Sequence, residues 1–251
     1  MSILMAPFFA GVSAFVFNQT ISADVSNYVL TSAATAAGWD GKAPLKATVT
    51  INSGIVVSAN NTANHAFDTG IVPAGSALEL VNNGYILGMG GAGGSGSQTR
   101  TESDGKPGGP ALRAQAAINI TNNGTIGGGG GGGAGCAAVT GSGNFYAGGG
   151  GGRTGRTDSL AGTNTSSSAP TAPATKGTFA ASGDGGYASW PPSSGVGGKV
   201  VQGSAGATWG ATASNSLVGG YSAYGGAGGA AVVGNSFITW LATGTRLGAI
   251  T

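Results

Sequence analysis

The chain has 251 residues, of which 53 are glycine and only 7% are charged, and its formal net charge is +2. So much glycine is typical of low-complexity chains, but disordered chains combine high charge with few apolar residues, whereas 40% of these residues are hydrophobic. The basic residues are scattered rather than clustered, which argues against a nucleic-acid partner. The composition therefore favours a folded, glycine-rich protein that does not bind nucleic acid.

The first segment, residues 3–17, is strongly apolar. A secretory signal would carry basic residues before its apolar core, and the first basic residue here is Lys42. Pro7 and Gly11 interrupt the run, which is shorter than the roughly 20 residues that span a bilayer. We expect an apolar strand or plug that docks on another subunit, with membrane insertion as the alternative.

Residues 1–87 are predicted to form a β-rich attachment domain. Alternation of apolar residues predicts strands, which we place at 13–21, 46–51, 54–58 and 76–81. The alanine-rich stretch 26–38, which ends in Gly38, is the one place that favours a short helix with a glycine C-cap. The whole chain is therefore predicted to be all-β, with at most one short helix.

A repeat relates three stretches of the chain: LELVNNGYILG (78–88), INITNNGTIGG (118–128) and ITWLATGTRLG (238–248). Each has apolar residues at its first and third places and glycine at its seventh and eleventh, and VTINSGIVV (49–57) is a shorter relative. Asn-Gly favours a type I′ turn, so we interpret each copy as a β-hairpin. Internal repeats indicate stacked units that share a core.

Residues 88–251 are predicted to form a second, glycine-rich domain of hairpins and packed polyglycine-II strands, whose loops bind another surface. Two copies of the repeat continue directly into glycine, and the second gives seven consecutive glycines at 127–133. Chains in the polyproline-II conformation have no internal hydrogen bonds, so buried amides must bond to neighbouring strands. Flexible linkers between hairpins are the alternative.

Few side chains could perform catalysis. His65 is the only histidine and Cys136 the only cysteine, so a zinc site is not expected; we expect a surface histidine and a buried thiol. Glu102 and Asp104 lie in a loop with basic neighbours, which favours a solvated loop over a calcium site. A pair of distant carboxylates stays open, but the prediction is a protein without catalytic residues, metal or cofactor.

Large side chains lie between the glycine runs, where aromatic residues and arginines recur. Aromatic residues dominate recognition surfaces because they bury much area at low entropic cost. The candidate receptor-binding residues are Phe145, Tyr146, Arg153, Arg156, Tyr187, Trp190, Tyr221 and Tyr224. We expect these aromatic side chains to be exposed and those of Trp209 and Trp240 to be packed, although all of them could instead cap the glycine layers.

Three stretches, LVNNGYILGMGGAGG, GGPALRAQAAINITNNGTIGGGGGGGAGC and NSFITWLATGTRLGAI, together resemble glycine-rich receptor-recognition proteins at the tips of phage tail fibres. SNYVLTSAATAAGWDGKAPLKATVTINSG is similar to the domain that precedes the glycine-rich part in such proteins. The resemblance implies sandwiched polyglycine strands whose variable loops touch the host receptor. Those loops would be 95–107, 137–147, 153–182, 187–196 and 207–224. The glycine blocks are fewer and shorter than in the fullest versions of the family.

The expected function is that of a non-enzymatic phage tail adhesin, made in the host cytoplasm and carried at the tail tip of the virion. Its partners would be a protein or polysaccharide of the bacterial surface, together with other tail proteins docked through the apolar N-terminus. A homotrimer of this chain is one expected arrangement. The alternative is a structural tail protein that cements neighbouring subunits. An ice-binding protein is less favoured, because the glycine runs are homopolymeric, and an enzyme is favoured least.

Overall fold

A computed structural model describes residues 13–97, 103–140, 143–164, 171–189, 200–218 and 221–251. Its scaffold is a parallel β-solenoid with three sides; each turn of the chain is here called a rung, and the first four rungs contribute one strand to each side. Rung 1 comprises β1 (Phe15–Ile21), β2 (Val25–Ser26) and β3 (Tyr28–Val29), followed by helix α1 (Leu30–Ala36). Rung 2 comprises β4 (Leu45–Ile51), β5 (Val56–Ser58) and β6 (Phe67–Asp68), and rung 3 comprises β7 (Ala77–Asn82), β8 (Tyr85–Leu87) and β9 (Leu112–Arg113).

The later rungs are separated by the glycine-rich part of the chain. Rung 4 begins with β10 (Ile118–Asn122) and β11 (Thr125–Gly127). Seven short strands follow: β12 (Cys136–Thr140), β13 (Gly143–Ala147), β14 (Thr171–Ala172), β15 (Tyr187–Ser189), β16 (Val200–Gln202), β17 (Ser216–Val218) and β18 (Tyr221–Ala223). β19 (Val232–Val233) then completes rung 4, and rung 5 follows a 3-10 turn (Asn235–Phe237) with β20 (Ile238–Ala242) and β21 (Thr245–Leu247).

The sequence repeat is the solenoid rung. Ile118 of β10 pairs with Leu78 of β7 on one side and with Ile238 of β20 on the other, always in parallel. The first sheet therefore has the order β1-β4-β7-β10-β20, the second β2-β5-β8-β11-β21 and the third β19-β9-β6-β3. The prediction of stacked repeats that share a core is confirmed.

The prediction that each repeat forms a hairpin is wrong. Within the described chain, β7 and β8 pair with strands of neighbouring rungs and not with each other. Asn83 and Gly84 form a corner between two sheets, and neither has the positive φ that a type I′ turn requires. Glycine is needed at this corner because a Cβ on Gly84 would lie 2.3 Å from the carbonyl oxygen of Ile55.

The core lies inside the solenoid. Along β4 every second residue is buried, because successive side chains of a strand point to opposite faces. The fully buried large side chains include Leu45, Ile51, Leu80, Ile120 and Phe67. The four strands predicted in the first 87 residues are all present, within two residues of the predicted boundaries.

Helix α1 is the short helix predicted over 26–38, but it begins at Leu30 because Val25–Ser26 and Tyr28–Val29 form strands of rung 1. Gly38 follows the helix with a φ of +105°, a conformation that favours glycine after a helix C-terminus. Leu30 and Ala34 are buried. The mostly β character of the fold, with one short α-helix in the described residues, agrees with the prediction.

The glycine-rich segments leave the solenoid at one corner, between the second and third sheets. Residues 88–111 connect β8 to β9, and residues 128–231 connect β11 to β19; together they are named the glycine body. Strands β9 to β11 and β19 to β21 therefore belong to the same sheets as the first 87 residues. The chain passes between solenoid and glycine body four times rather than crossing once at residue 87.

The glycine run 127–133, here called the central run, lies at the centre of the glycine body and forms hydrogen bonds to neighbouring segments on several sides. Its amides donate to backbone carbonyl oxygens in three directions in turn, at 2.8–3.0 Å. In the first direction Gly129 donates to Gly109 and Gly132 to Lys106; in the second, Gly130 donates to Arg153 and Gly133 to Gly150. In the third, Gly128 donates to Leu247 and Gly131 to Ala211. Recurrence every third residue is the periodicity of polyproline II. The run is packed against other backbone, so the linker alternative is excluded.

Candidate functional site

The glycine body has two ends, because its segments alternately leave and approach the solenoid. The central run starts at the solenoid with Gly127 of β11 and reaches Cys136 of β12 nine residues later. At the polyproline-II rise, nine residues span about 28 Å. We name the end near β8 and β11 the proximal end and the end carrying β12–β18 the distal end.

The proximal end is joined to the solenoid by aromatic and cationic side chains. Trp209 lies over Phe179, with ring centroids 5.6 Å apart, and both rings lie beside Tyr85 of β8. The Arg153 guanidinium lies 3.7 Å from the centroid of a Trp209 ring, and its Nε donates to the carbonyl oxygen of Phe179 at 3.0 Å. Arginine stacked on tryptophan is a favourable cation–π geometry, so this cluster fixes the glycine body to the solenoid.

Arg156 makes a second link at the proximal end. Its Nε donates to Asp24 of rung 1 at 2.6 Å, and its guanidinium lies 4.8 Å from the Phe179 ring centroid. Both charged side chains are partly exposed, so the ion pair adds less than about 1 kcal/mol. Arg153 and Arg156, which were predicted to contact a receptor, thus make intramolecular contacts at the end that faces the solenoid.

The distal end is built from antiparallel strands that succeed the glycine segments. β12 pairs with β13, β14 pairs with β15, β15 with β16, and β17 with β18. β12 lies beside β17, and β13 lies beside β15. Glycine has no side chain that could form a recognition surface. These strands contain residues with larger side chains, and they lie at the distal end of the glycine body.

Polar side chains tie the distal segments together. Asn164 accepts a hydrogen bond from the Gly148 amide at 2.7 Å and donates to the carbonyl oxygen of Ala172. Thr163 donates to Ser95 at 3.1 Å, and the Tyr224 amide donates to an Asp104 carboxylate oxygen at 2.7 Å. The distal end is therefore held by hydrogen bonds between its segments, two of which join residues 68 and 120 positions apart in sequence.

The predicted aromatic residues divide within the distal end. Tyr187 of β15 and Tyr224 are each 43% exposed, and Tyr146 of β13 is half-buried. The exposure predicted for Phe145 is wrong: it is 3% exposed, because alternation along β13 turns it inward where Tyr146 faces outward. Trp190 and the side chain of Tyr221 lie outside the described residues.

The packing predicted for Trp209 and Trp240 is confirmed. Trp209 belongs to the proximal cluster, and its indole nitrogen donates to the carbonyl oxygen of Thr154 at 3.0 Å. Trp240 packs on the edge of the solenoid core and donates to Asn235 at 2.9 Å. Sequence reasoning missed Phe179 and Tyr85, which complete the proximal cluster; both are single aromatics, and nothing local in the sequence indicates that they meet.

The thiol of Cys136 lies in β12, where the central run ends. It is buried, as predicted, and burial raises its pKa to about 11. Such a thiol stays protonated near neutral pH and is a poor nucleophile.

Across the described residues, no helix has the length and apolar character to cross a bilayer.

Comparison with known proteins identifies the family. Residues 16–251 match the family model described as phage tail fibre adhesin Gp38, and none of the curated proteins matches. Among solved structures, the gp37–gp38 adhesin tip complex of the bacteriophage S16 long tail fibre contains a similar chain, with 23% identity and a TM-score of 0.60 over 93% of this chain and 82% of that one. That likeness supports the same fold. Because the family match spans nearly the whole sequence, this chain belongs to the phage tail fibre adhesin Gp38 family and is a non-enzymatic adhesin of the virion.

Proposed function

We propose that the distal end of the glycine body binds a receptor on the bacterial surface, while the solenoid attaches the adhesin to the rest of the tail fibre. The observation that carries this proposal is the division of the glycine body into two unlike ends. Proximal side chains are used in contacts with the solenoid, whereas the distal end presents exposed tyrosines.

Rigidity of the glycine body supports the same proposal. A receptor-binding surface loses less entropy on binding when it is already ordered. The amides of Gly128–Gly133 all bond to neighbouring backbone, and polar cross-links such as that of Asn164 hold the distal segments. The central run therefore acts as a stiff support for the strands beyond it.

Tyr187 and Tyr224 are the described residues best suited to contact a receptor. Tyrosine combines a large apolar ring with a hydroxyl and has only two side-chain torsions, so it binds with little loss of entropy. Trp190 and Tyr221 remain candidates by sequence. We leave Phe145, Arg153 and Arg156 out of the proposed contact surface, because Phe145 is buried and the two arginines lie at the proximal end.

Attachment to a fibre protein is the second part of the proposal. The similar S16 chain is named in a complex with gp37, and we propose a corresponding fibre partner for this chain. The last rung supports a role for the solenoid, because Phe237, Leu241 and Ile250 expose apolar side chains there. Docking through the apolar N-terminus stays a prediction, since residues 1–12 lie outside the described residues, and so does a homotrimer.

The test is competition for phage adsorption. Purified protein added to susceptible cells is expected to reduce adsorption of the phage, and Tyr187→Ala is expected to weaken this competition about tenfold or more, the loss typical of an interface residue that contributes over about 1.4 kcal/mol. Ile71→Ala is the matched control, because Ile71 is also apolar and exposed but belongs to the solenoid.

Competition by wild type and by Ile71→Ala, with loss for Tyr187→Ala, would support the proposed contact surface. If saturating wild-type protein neither binds cells nor competes, the receptor-binding role fails and a cementing role is favoured. If Tyr187→Ala competes as well as wild type at unchanged thermal stability, Tyr187 is not a receptor contact.

A further inference from the structure

A polar cavity of about 410 Å³ opens on the third sheet of the solenoid, remote from the distal end. Its polar lining comes from three rungs: Asn27 at the start of β3, Asn64 and His65 in the loop before β6, and Arg113 of β9 beside Asp68. The volume lies within the range of small-molecule sites. Neither the fibre attachment nor the receptor contact proposed above uses these side chains.

Arg113, whose side chain is 40% exposed, is held in a fixed position in the lining of the cavity. Its Nε donates to Asp68 Oδ2 at 2.9 Å, and one Nη group bonds to the same oxygen. The other carboxylate oxygen of Asp68 accepts the Gly70 amide at 3.0 Å and Gln115 Nε2 at 2.8 Å. With its acceptors occupied, Asp68 positions the guanidinium, and the second Nη group has no partner among the described residues.

The charge of Asp68 follows from the same contacts. Burial alone would raise the pKa of Asp68, but the hydrogen bonds from Arg113, Gly70 and Gln115 outweigh burial and lower it. Asp68 therefore stays ionised at neutral pH and keeps Arg113 oriented. An arginine fixed through one edge can bind a second carboxylate through its other edge in the bidentate geometry that guanidinium favours.

His65 lies beside this arginine and is neutral at pH 7. Burial, followed by the positive charge of Arg113, lowers the pKa of His65, and the charge of Asp68 acts in the opposite direction. Among the described residues, Arg113 and Asp68 are the only charged ones that line the cavity. The imidazole makes no hydrogen bond within the described part of the chain, so one donor and one acceptor are available to a ligand.

Asn27 contributes a further donor and is conformationally unusual. It is the one non-glycine residue with positive φ in the described ranges, at 52°. Its Oδ1 accepts the Asn60 amide at 3.1 Å, which leaves Nδ2 without a partner there. Asparagine tolerates this left-handed conformation better than most residues. The cavity thus has more unused donors than acceptors, which suits an acceptor-rich ligand.

We propose that this cavity binds a carboxylate-bearing ligand, with Arg113 as the primary anchor and Asn27 and His65 as additional hydrogen-bond donors. The carboxylate could belong to an acidic saccharide or to the C-terminus of a peptide. Because Asp68 neutralises Arg113 in part, the affinity is modest, with a Kd of about 1 mM for a small monocarboxylate. Protonation of His65 adds a positive charge and a second donor, so affinity increases as the pH falls.

The experiment is an NMR titration of the full-length protein with glucuronate, acetylglycine and, as the neutral matched sugar, glucose. Glucuronate and acetylglycine represent the two sources, and the tighter of the two identifies which the cavity favours. We expect binding of at least one of them, none of glucose, and up to about tenfold tighter binding at about pH 5.5 than at about pH 7.5, since a one-unit rise in the pKa of His65 corresponds to tenfold.

Variants separate the roles of the two residues. Arg113→Lys keeps the charge beside Asp68 but removes the second edge of the guanidinium, and it is expected to lose most of the affinity. His65→Gln is expected to bind at about pH 7.5 and to lose the pH dependence. Arg246→Gln, which removes an arginine stacked on Trp240 instead, is the control and should bind like wild type.

The proposal is overturned if neither carboxylate binds at 20 times the expected Kd, if glucose binds as well as glucuronate, or if folded Arg113→Lys protein retains wild-type affinity. These outcomes are independent of the adsorption assay, since that assay reports on the distal end.

Discussion

A side chain at Gly130 would collide with the backbone of a neighbouring strand. A Cβ at this position lies 2.0 Å from the Ala207 carbonyl oxygen, and a backbone oxygen cannot move without breaking hydrogen bonds of its own strand. Gly130→Val is therefore expected to destabilise the protein by at least about 3 kcal/mol, which combines overpacking with lost amide bonds. Thermal or denaturant unfolding of the full chain measures this.

Ala205→Val is the control for Gly130→Val, because Ala205 is exposed in the same glycine body. It adds a similar volume outside the packed strands and is expected to change the unfolding free energy by less than about 0.5 kcal/mol. Equal, small effects of the two substitutions would contradict the packing of the central run.

At the level of the rung, buried asparagines connect neighbouring repeats. Asn82 Nδ2 donates to Asn122 Oδ1 at 2.7 Å, and Asn122 Nδ2 donates to the Thr243 carbonyl oxygen at 2.8 Å, so one corner links rungs 3, 4 and 5. Both asparagines are buried. Asn122→Ala removes the acceptor of a buried donor on Asn82, whereas the exposed carbonyl oxygen of Thr243 can bond to water instead, and we expect a loss of about 1–3 kcal/mol.

The adjacent residue supplies a matched control. Asn123 makes a similar hydrogen bond to Asn83 at 2.9 Å but is exposed, so water can replace its partner in Asn123→Ala, and the expected loss is below about 1 kcal/mol. Denaturant titrations of the two variants measure the difference. A loss for Asn123→Ala as large as that for Asn122→Ala would mean that burial does not decide the strength of this corner.

The strands and the stacking of the rungs could be predicted from the sequence, but the way the strands pair could not. Alternating apolar residues gave the strands, and the repeat gave the stacking, because both are local patterns. The pattern of strand, Asn-Gly and strand fits a hairpin and a solenoid corner equally well. What separates them is whether the second strand pairs with the first or with the next rung, about 40 residues away for Ile118 and Leu78. That pairing is non-local, so the hairpin was predicted instead.

For the molecule as a whole, the sequence indicated a stiff glycine scaffold with aromatic loops but not which loops share an end. Residues 153–182 were predicted as one variable loop, yet Arg156 and Phe179 face the solenoid while Asn164 lies among the distal segments. The loops at the two ends of the glycine body have similar compositions. The end at which a loop lies depends on the length of the glycine segment before it and on the strands with which that segment forms hydrogen bonds.

Opening of the glycine body can be followed through its thiol. Cys136 is the only cysteine, and burial raises its pKa from 9.0 to about 11. A disulfide reagent that attacks thiolates is therefore expected to label the native protein at pH 8 at least about 100-fold more slowly than the urea-unfolded chain, since the pKa difference alone gives that factor. Because the folded pKa is raised, the thiol contributes stability below about pH 9 that is lost as the pH approaches 11.

Combining this thiol with Gly130→Val distinguishes local opening from global unfolding. Cys136 lies three residues after the last glycine of the central run, Gly133, so damage at Gly130 is expected to expose it. The solenoid core, buried around residues such as Leu80, is expected to stay folded. Faster labelling with retained β-sheet circular dichroism would identify a body that opens on its solenoid. Labelling that accelerates only in step with loss of the β signal would instead mean that solenoid and body unfold as one unit, because strands β9 and β19 close the third sheet only after the glycine segments have returned to it.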